Sequence, residues 1–206
     1  MFKSRSLPEY IKAEIPEVIR KELQKGDCWI AGGFLRDMLY NHYIETGPSF
    51  IGREKRIIKD IDLFWSSEIT AKRNFNKIKE NEWMYFGAII SAYPIKVGNQ
   101  KVNLICHKFF DTKEKLLEQF NFRCNMFATD GTTLTEYEQA WKDNVNNTLT
   151  VNYFSNPISF LFKMQKYTKK GFVMSRDKVA EMLVRIKLSD FDLSDSKNWY
   201  EDNEDL

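Results

Sequence analysis

The sequence predicts a mixed α/β (α+β) domain, a sheet flanked by helices, followed by a small helical C-terminal extension. Three observations predict it. Cys28-Trp29-Ile30-Ala31 is a continuous apolar run that breaks at Gly32-Gly33 and restarts as an amphipathic helix. Asp60-Ile61-Asp62-Leu63-Phe64-Trp65 alternates with the period of a strand, placing Asp60 and Asp62 on one face and Ile61 and Leu63 on the other. Beyond Asn144 the spacing of apolar residues becomes helical. A chain of 206 residues is one typical domain with a modest extension. We divide it into a head over 1–144, a helical extension over 145–189 and an acidic tail over 190–206.

Taken in order, Ser6-Leu7-Pro8-Glu9 reads as a capping box, with Ser6 as N-cap and Glu9 three residues on. Tyr10, Ile11, Ile15, Val18, Ile19 and Leu23 follow at helical spacing, Pro16 kinks or splits that helix, and Gly26 stops it. Cys28 to Ala31 is a strand buried on both faces, and the helix after the glycines runs from about Phe34 to Tyr43. Glu45 to Arg56, with Gly47-Pro48 and Gly52, is a mobile loop that could form a lid. A strand over Asp60–Trp65 ends at Ser66-Ser67, and a helix over about Thr70–Asn81 points Phe75 and Ile78 inward. Gly87–Val97 and Lys101–His107 are two strands joined by the hairpin signal Gly98-Asn99. Thr112–Gln119 is a short helix, Phe122–Ala128 a short apolar segment and Thr129-Asp130-Gly131-Thr132 a turn. Pro157–Lys169 is a helix ended by Gly171, and Ser175 caps another.

Composition narrows the function classes. The net charge of +2 conceals an asymmetry: from Asp190 to Leu206 seven acidic side chains face Lys197 alone, a net of −6. That leaves 30 basic and 22 acidic side chains, a net of +8, on the preceding 189 residues. A basic body suits a polyanionic partner as well as it suits an ordinary solvated lysine surface. Cys28, Cys106 and Cys124 are few, scattered and odd in number, which points to reduced thiols in a cytoplasmic protein rather than disulfides or a zinc site. Only His42 and His107 are present, so a histidine-rich metal site is excluded. No run reaches the length of a membrane span and the N-terminus has no signal-peptide core, so no membrane partner is expected.

The chemistry concentrates at the glycine turn and the Asp60/Asp62 strand. Two carboxylates held side by side repel unless a cation lies between them, and a divalent metal is the usual solution. Paired glycines allow close backbone approach to a ligand, and a following helix start favours phosphate. The minimal reading is a metal-dependent nucleotide site.

These segments resemble the head domain of class II tRNA CCA-adding enzymes and bacterial poly(A) polymerases, of the polymerase-β-type nucleotidyltransferase superfamily. Their motif G-G-x-x-R-D-x-L is matched by Gly32-Gly33-Phe34-Leu35-Arg36-Asp37-Met38-Leu39, and D-I-D-L by Asp60-Ile61-Asp62-Leu63. A weaker echo of R-D-F-T-I-N-A-M-A is Phe120 through Ala128. The resemblance covers about Cys28 to Gly131, and the compact length and Gln165–Phe172 look more like stand-alone phage or viral members. It implies that Asp60 and Asp62 are catalytic and hold two magnesium (or manganese) ions, and that Gly32 and Gly33 face the triphosphate of an NTP. Arg36 would contact phosphate or nucleotide, Asp37 would orient it, and Lys59 is a further phosphate candidate. The plain alternative for Arg36 and Asp37 is a helix-surface ion pair.

The departures are equally specific. The family's third carboxylate falls near Asn103, and the acid of the third motif is Asn121, leaving catalysis to two carboxylates with Glu118 or Asp111 as help from elsewhere. No E-D-x-x-R nucleotide-selecting segment is present, so CCA specificity does not carry over. Lys166, Lys169, Lys170 and Arg176, interleaved with Tyr167 and Phe172, suit an RNA acceptor, although the aromatics suit a packed stripe better. His107 is expected to be structural. The expected activity is NMP transfer from an NTP to an acceptor hydroxyl, with an RNA (tRNA-like) 3′ end as acceptor. The rivals are a degenerate nucleotide- or RNA-binding module without turnover, and transfer to a protein or small-molecule hydroxyl such as an aminoglycoside.

Overall fold

A computed structural model describes residues 1–47, 53–78, 92–154 and 157–188. In chain order the elements are β1 (Phe2–Ser6), α1 (Glu9–Glu14), α2 (Glu17–Leu23), β2 (Cys28–Ala31), α3 (Gly33–Thr46), β3 (Asp60–Trp65), α4 (Glu68–Ile78), β4 (Ala92–Val97) and β5 (Gln100–Phe109). They continue with α5 (Lys113–Glu118), a 3-10 turn over Arg123–Asn125, β6 (Phe127–Thr129), β7 (Thr133–Tyr137), α6 (Ala140–Val145), α7 (Pro157–Lys169) and α8 (Arg176–Leu188). Among the described residues seven strands form one mixed sheet in the order β1-β7-β6-β2-β3-β5-β4. Within it β3 and β5 run parallel, and the other paired strands run antiparallel.

The centre of the sheet follows from the sequence. All four residues of β2 are buried, as a strand covered on both faces must be. In β3 the odd positions Ile61, Leu63 and Trp65 are fully buried while Asp60, Asp62 and Phe64 share the opposite, less buried face. Pro16 divides the first helical stretch into α1 and α2, because a proline lacks the N–H that would continue the ladder. Gly98, at φ +61°, turns the β4–β5 hairpin between Val97 and Gln100. The expected inward aspect of Phe75 and Ile78, the start of the preceding strand at Gly87 and the middle of the Glu45–Arg56 loop lie outside what the structure describes.

The N-terminus departs from expectation. Ser6 does not cap a helix; Phe2–Ser6 is a strand paired with β7 along its whole length, from Phe2 with Tyr137 to Ser6 with Thr133. Pro8 takes the cap position of α1 without a side-chain bond. The deciding contacts, such as Ser4 Oγ to Thr135 Oγ1 at 2.9 Å, span 131 positions, and no local pattern displays them. Strand β7 and helix α6 were likewise not expected from the sequence.

Among the described residues two apolar clusters hold the fold together. The larger joins both ends of β2 and β3 to α1, α2, α3 and α5 through Ile11, Ile19, Leu35, Trp65 and Leu117. The smaller contains Phe122, Cys124, Leu149, Phe160, Phe172 and Met182, so it draws on residues either side of position 144 and fastens α7 and α8 to the 3-10 turn. Ser175 accepts the Lys178 amide at 3.4 Å at the start of α8, as a cap should. Among the described residues no helix is long and apolar enough to cross a membrane.

The turn between β6 and β7 is tied by one carboxylate. Asp130 Oδ1 accepts from the Thr132 and Thr133 amides at 2.9 and 2.7 Å, and Oδ2 accepts from Lys113 and from the Thr133 hydroxyl. Partial burial opposes its charge, yet the bonds from Lys113, Thr133 and Thr132 hold its carboxyl well below the usual range. Such a group adds stability that is complete above the unfolded aspartate value near 3.9 and is lost as pH falls below it. Asp130→Ala is therefore expected to lower unfolding stability by about 1.5–3 kcal/mol at pH 7. In urea titrations that difference from the parent should shrink steadily as pH is taken below about 4.

Candidate functional site

Parallel pairing of β3 with β5 puts Asp62 beside Asn103 and Asp60 beside Lys101. Paired residues of neighbouring strands project from the same face, so Asn103 joins the two carboxylates. Its Nδ2 donates to Asp60 Oδ2 and to Asp62 Oδ1, both at 2.9 Å. The position expected to lack the third acid is thus occupied by an amide that bridges the other two. The Asp62 carboxyl is pushed up to about 6, first by loss of water around it and then by Asp60, with the Asn103 bond acting in the opposite sense.

These side chains form the floor of a cavity of about 420 Å³, within the size range of small-molecule sites. Gly33 at the start of α3, Lys59, Phe64, His107 and Phe120 line it, and α7 contributes Lys163, Lys166 and Tyr167, with Lys170 just beyond its end. The expected residues therefore divide. Asp60, Asp62, Gly33, Arg36, Asp37, Lys59, Asn103, Lys166 and Lys170 meet at one cavity, whereas Lys169 and Arg176 are exposed and do not line it. His107, expected to be structural, does line it. Glu118 and Asp111, considered as replacement acids, do not. Asp111 instead pairs with Lys115.

Gly32 is corrected. Its N–H donates to the Phe127 carbonyl at 3.0 Å, closing the edge between β2 and β6, so that amide does not face the cavity. Its φ of +88° is what turns the strand into the helix, and a Cβ there would stand 3.0 Å from the Phe120 ring. Gly33 alone of the pair lines the cavity.

Arg36 and Asp37 are not a surface pair. Arg36 is fully buried and Asp37 is 4% exposed. Arg36 Nε and one terminal nitrogen grip Asp37 at 2.7 and 2.5 Å, and the other terminal nitrogen donates to Asn125 Oδ1 at 2.7 Å. Its guanidinium lies 5.1 Å from the centre of the Tyr167 ring and 5.4 Å from that of Phe172. Phe172 is itself fully buried, so this aromatic belongs to the packed stripe and is not a base-stacking platform. Arg36 and Asp37 both line the cavity, and three of the Arg36 N–H bonds are committed to protein, so the pair shapes its wall.

Arg56, at the end of the glycine-to-aspartate loop, was missed by sequence reasoning. Its guanidinium lies 3.7 Å from the Tyr40 ring centre and 4.6 Å from that of Phe172. It also donates to the Asn144 carbonyl at 2.8 Å and to Asp37 at 3.3 Å. Asn144 in turn donates to the Arg36 carbonyl at 2.9 Å, so α3, α6 and the loop exit share one network. The only sequence signal was that a cation closes a loop otherwise rich in turn residues.

Among the described residues no three His, Cys, Asp or Glu side chains cluster as a metal site. The donor set nevertheless fits one divalent cation. Asp60 and Asp62 present two carboxylates on one face, the Asp60 charge disfavours that of Asp62, which a cation would relieve, and Asn103 brings a carbonyl oxygen to the same point if its amide is turned over. What the arrangement can do chemically is hold a cation and an anion together against Gly33 and the lysines.

Removing one partner of a buried ion pair strands the other, at a cost of about 3–5 kcal/mol. Asp37→Asn should therefore lower the unfolding midpoint in urea sharply, while Lys59→Gln, whose side chain is exposed, should leave it within about 0.5 kcal/mol of the parent.

A family model described as Gad2, Gabija anti-defense 2 family protein, matches residues 5–147, more than half of the chain. Gabija anti-defense 2 of Bacillus phage SPbetaL7 is 26% identical over 207 residues, covering 99% of this chain and 46% of that protein. A Thermotoga maritima CCA-adding enzyme complexed with tRNA aligns with a TM-score of 0.55 at 13% identity, over 87% of this chain and 44% of that one. The Bacillus stearothermophilus CCA-adding enzyme in complex with CTP aligns with a TM-score of 0.53 at 14% identity, over 83% and 42%. A CCA-adding enzyme complexed with ATP reaches 0.56 at 14% identity, over 85% and 43%. The fold is nucleotidyltransferase-like, as the motifs implied, and the chain spans about half the length of the proteins it matches.

Proposed function

The chain belongs to the Gabija anti-defense 2 family, and on that premise we propose that it is a magnesium-dependent nucleotidyltransferase. It moves a nucleoside monophosphate from an NTP to an acceptor hydroxyl, with an RNA 3′ end as the acceptor. The observation that carries the reading is the pair Asp60 and Asp62, side by side on β3 at the floor of a lysine-walled cavity behind the Gly33 helix start. Support also comes from the likeness to CCA-adding enzymes solved with ATP, with CTP and with tRNA.

In this reading Asp60 and Asp62 hold the magnesium (manganese would serve as well). When bound, the ion would polarise the phosphate under attack and lower the pKa of the acceptor hydroxyl. Gly33 lets the triphosphate approach the start of α3, where backbone amides favour anions. Lys59 adds positive charge beside Asp60, and the Arg36–Asp37 pair keeps α3 and α7 in position around the bound nucleotide. Lys169 and Arg176, exposed beyond the cavity, are the candidates for the acceptor strand. The head over 1–144 would supply the reacting groups, and the extension over 145–189 would close the site. As a phage anti-defence protein it would act in the host cytoplasm.

One observation favours a second reading. Asn103 bridges both carboxylates where the family places an acid, so the site could bind nucleotide as a recognition module without turnover. Incubation with labelled NTP, magnesium and host RNA separates the two. Transfer predicts RNase-sensitive label and released pyrophosphate, both falling by about 10²–10³-fold or more in Asp60→Ala and Asp62→Ala. Equal labelling by those variants would sink the assignment. Nucleotide binding without pyrophosphate release selects the module, and RNase-resistant label moves the acceptor to a protein or small molecule.

A further inference from the structure

Helix α7 carries Lys163 and Lys166, and Lys170 follows just past its end; the spacings of three and four align them along one face, and all three line the cavity. Lys59 and Lys108 line it from the sheet side. Among the described residues none of these five pairs with a carboxylate. Lys163 donates to the Asn121 side-chain oxygen at 2.8 Å, and the Lys170 ammonium lies 5.8 Å from the Tyr167 ring centre. Arg36 is neutralised by Asp37. Five lysines against Asp60 and Asp62 leave three positive charges in excess inside one concave site.

Such crowding is unfavourable without an anion. Burial first, then Lys108 and Lys166, hold the Lys163 ammonium below the usual lysine range. Burial, Arg36, Lys166 and Lys59 do the same to Lys170, with Asp37 opposing. A monophosphate would offset only part of that excess. A polyphosphate matches it in both charge and length along the helix face.

We propose that Lys163, Lys166 and Lys170, with Lys59 and Lys108, form a polyphosphate grip that holds the phosphate chain of a nucleoside triphosphate directly. The grip stands in for charge neutralisation that a second cation would otherwise supply, at a site where Asn103 replaces an acid. Triphosphate binding then does not depend on a divalent ion. The proposal rests on the nucleotide-binding part of the reading above and is separable from turnover. The competing occupant of the same lysines is the backbone of an RNA strand.

Isothermal titration calorimetry in EDTA tests it, with ATP, AMP, inorganic tripolyphosphate and a short RNA oligonucleotide as probes. The expected result is that ATP and tripolyphosphate bind without metal and AMP binds at least about 100-fold more weakly. Lys163→Gln, Lys166→Gln and Lys170→Gln should each weaken tripolyphosphate by about 5–10-fold, with unchanged thermal unfolding as the control for folding. The ligand series on the parent protein stands even if a variant unfolds. Strict dependence of ATP binding on magnesium overturns the proposal, as does parental ATP affinity in the variants. Loss of oligonucleotide binding alone would assign the lysines to RNA. Metal-free ATP binding without pyrophosphate release would retain the grip and reject the transferase.

Discussion

A guanidinium buried at the junction of α3, the 3-10 turn and α7 is the interaction on which the arrangement of this molecule depends. Removing a charge from water is unfavourable unless its hydrogen bonds are replaced, and Arg36 replaces them with Asp37 and Asn125. Its faces are covered by Tyr167 and Phe172, which brings the C-terminal helices over the sheet. Asp37 then serves a second arginine, Arg56, which Asn144 and Tyr40 also hold. One acid thus positions the helix behind the glycine turn, the exit of the long loop and the helix carrying the lysines. The motif residue that resembles a ligand contact lines the cavity and is also the joint between the two apolar clusters.

The cavity in front of that joint is electrostatically divided. Its floor holds Asp60 and Asp62, whose repulsion Asn103 moderates by donating to both, and its walls carry lysines from three elements. A site with two acids and an excess of cations suits a cation of modest number and an anion of high charge. The aromatic lining from Phe64 and Phe120 adds apolar surface without fixed hydrogen-bond partners for a base. That balance differs from a three-carboxylate site, and it explains why binding and turnover have to be measured separately.

Much of this was legible beforehand. The strand Asp60–Trp65 and the helix Pro157–Lys169 were both expected at the bounds observed, because alternation and helical spacing report which face is buried. The turn Gly32-Gly33 was legible as a turn, but not which of its amides would stay free. Strand β1 was not legible, since its hydrogen bonds go to a partner more than a hundred residues away and its short exposed pattern mimics a capping box. Arg56 carried no local signal either, because the groups it meets come from α3, α6 and the stretch after α6.

What the amino-acid sequence determined by itself is the local chemistry: a buried strand, a glycine turn into a helix, and two carboxylates on one strand face. These follow from the period of the strand and the freedom of glycine, which need no distant partner. Only the tertiary structure decided which groups share the cavity. Parallel pairing of β3 with β5 set an amide between the acids, and burial of Arg36 turned it inward and drew Lys163, Lys166 and Lys170 over them. The physical reason is that desolvation is settled by the whole fold. A charge stays at a surface or becomes a joint according to what long-range packing places around it.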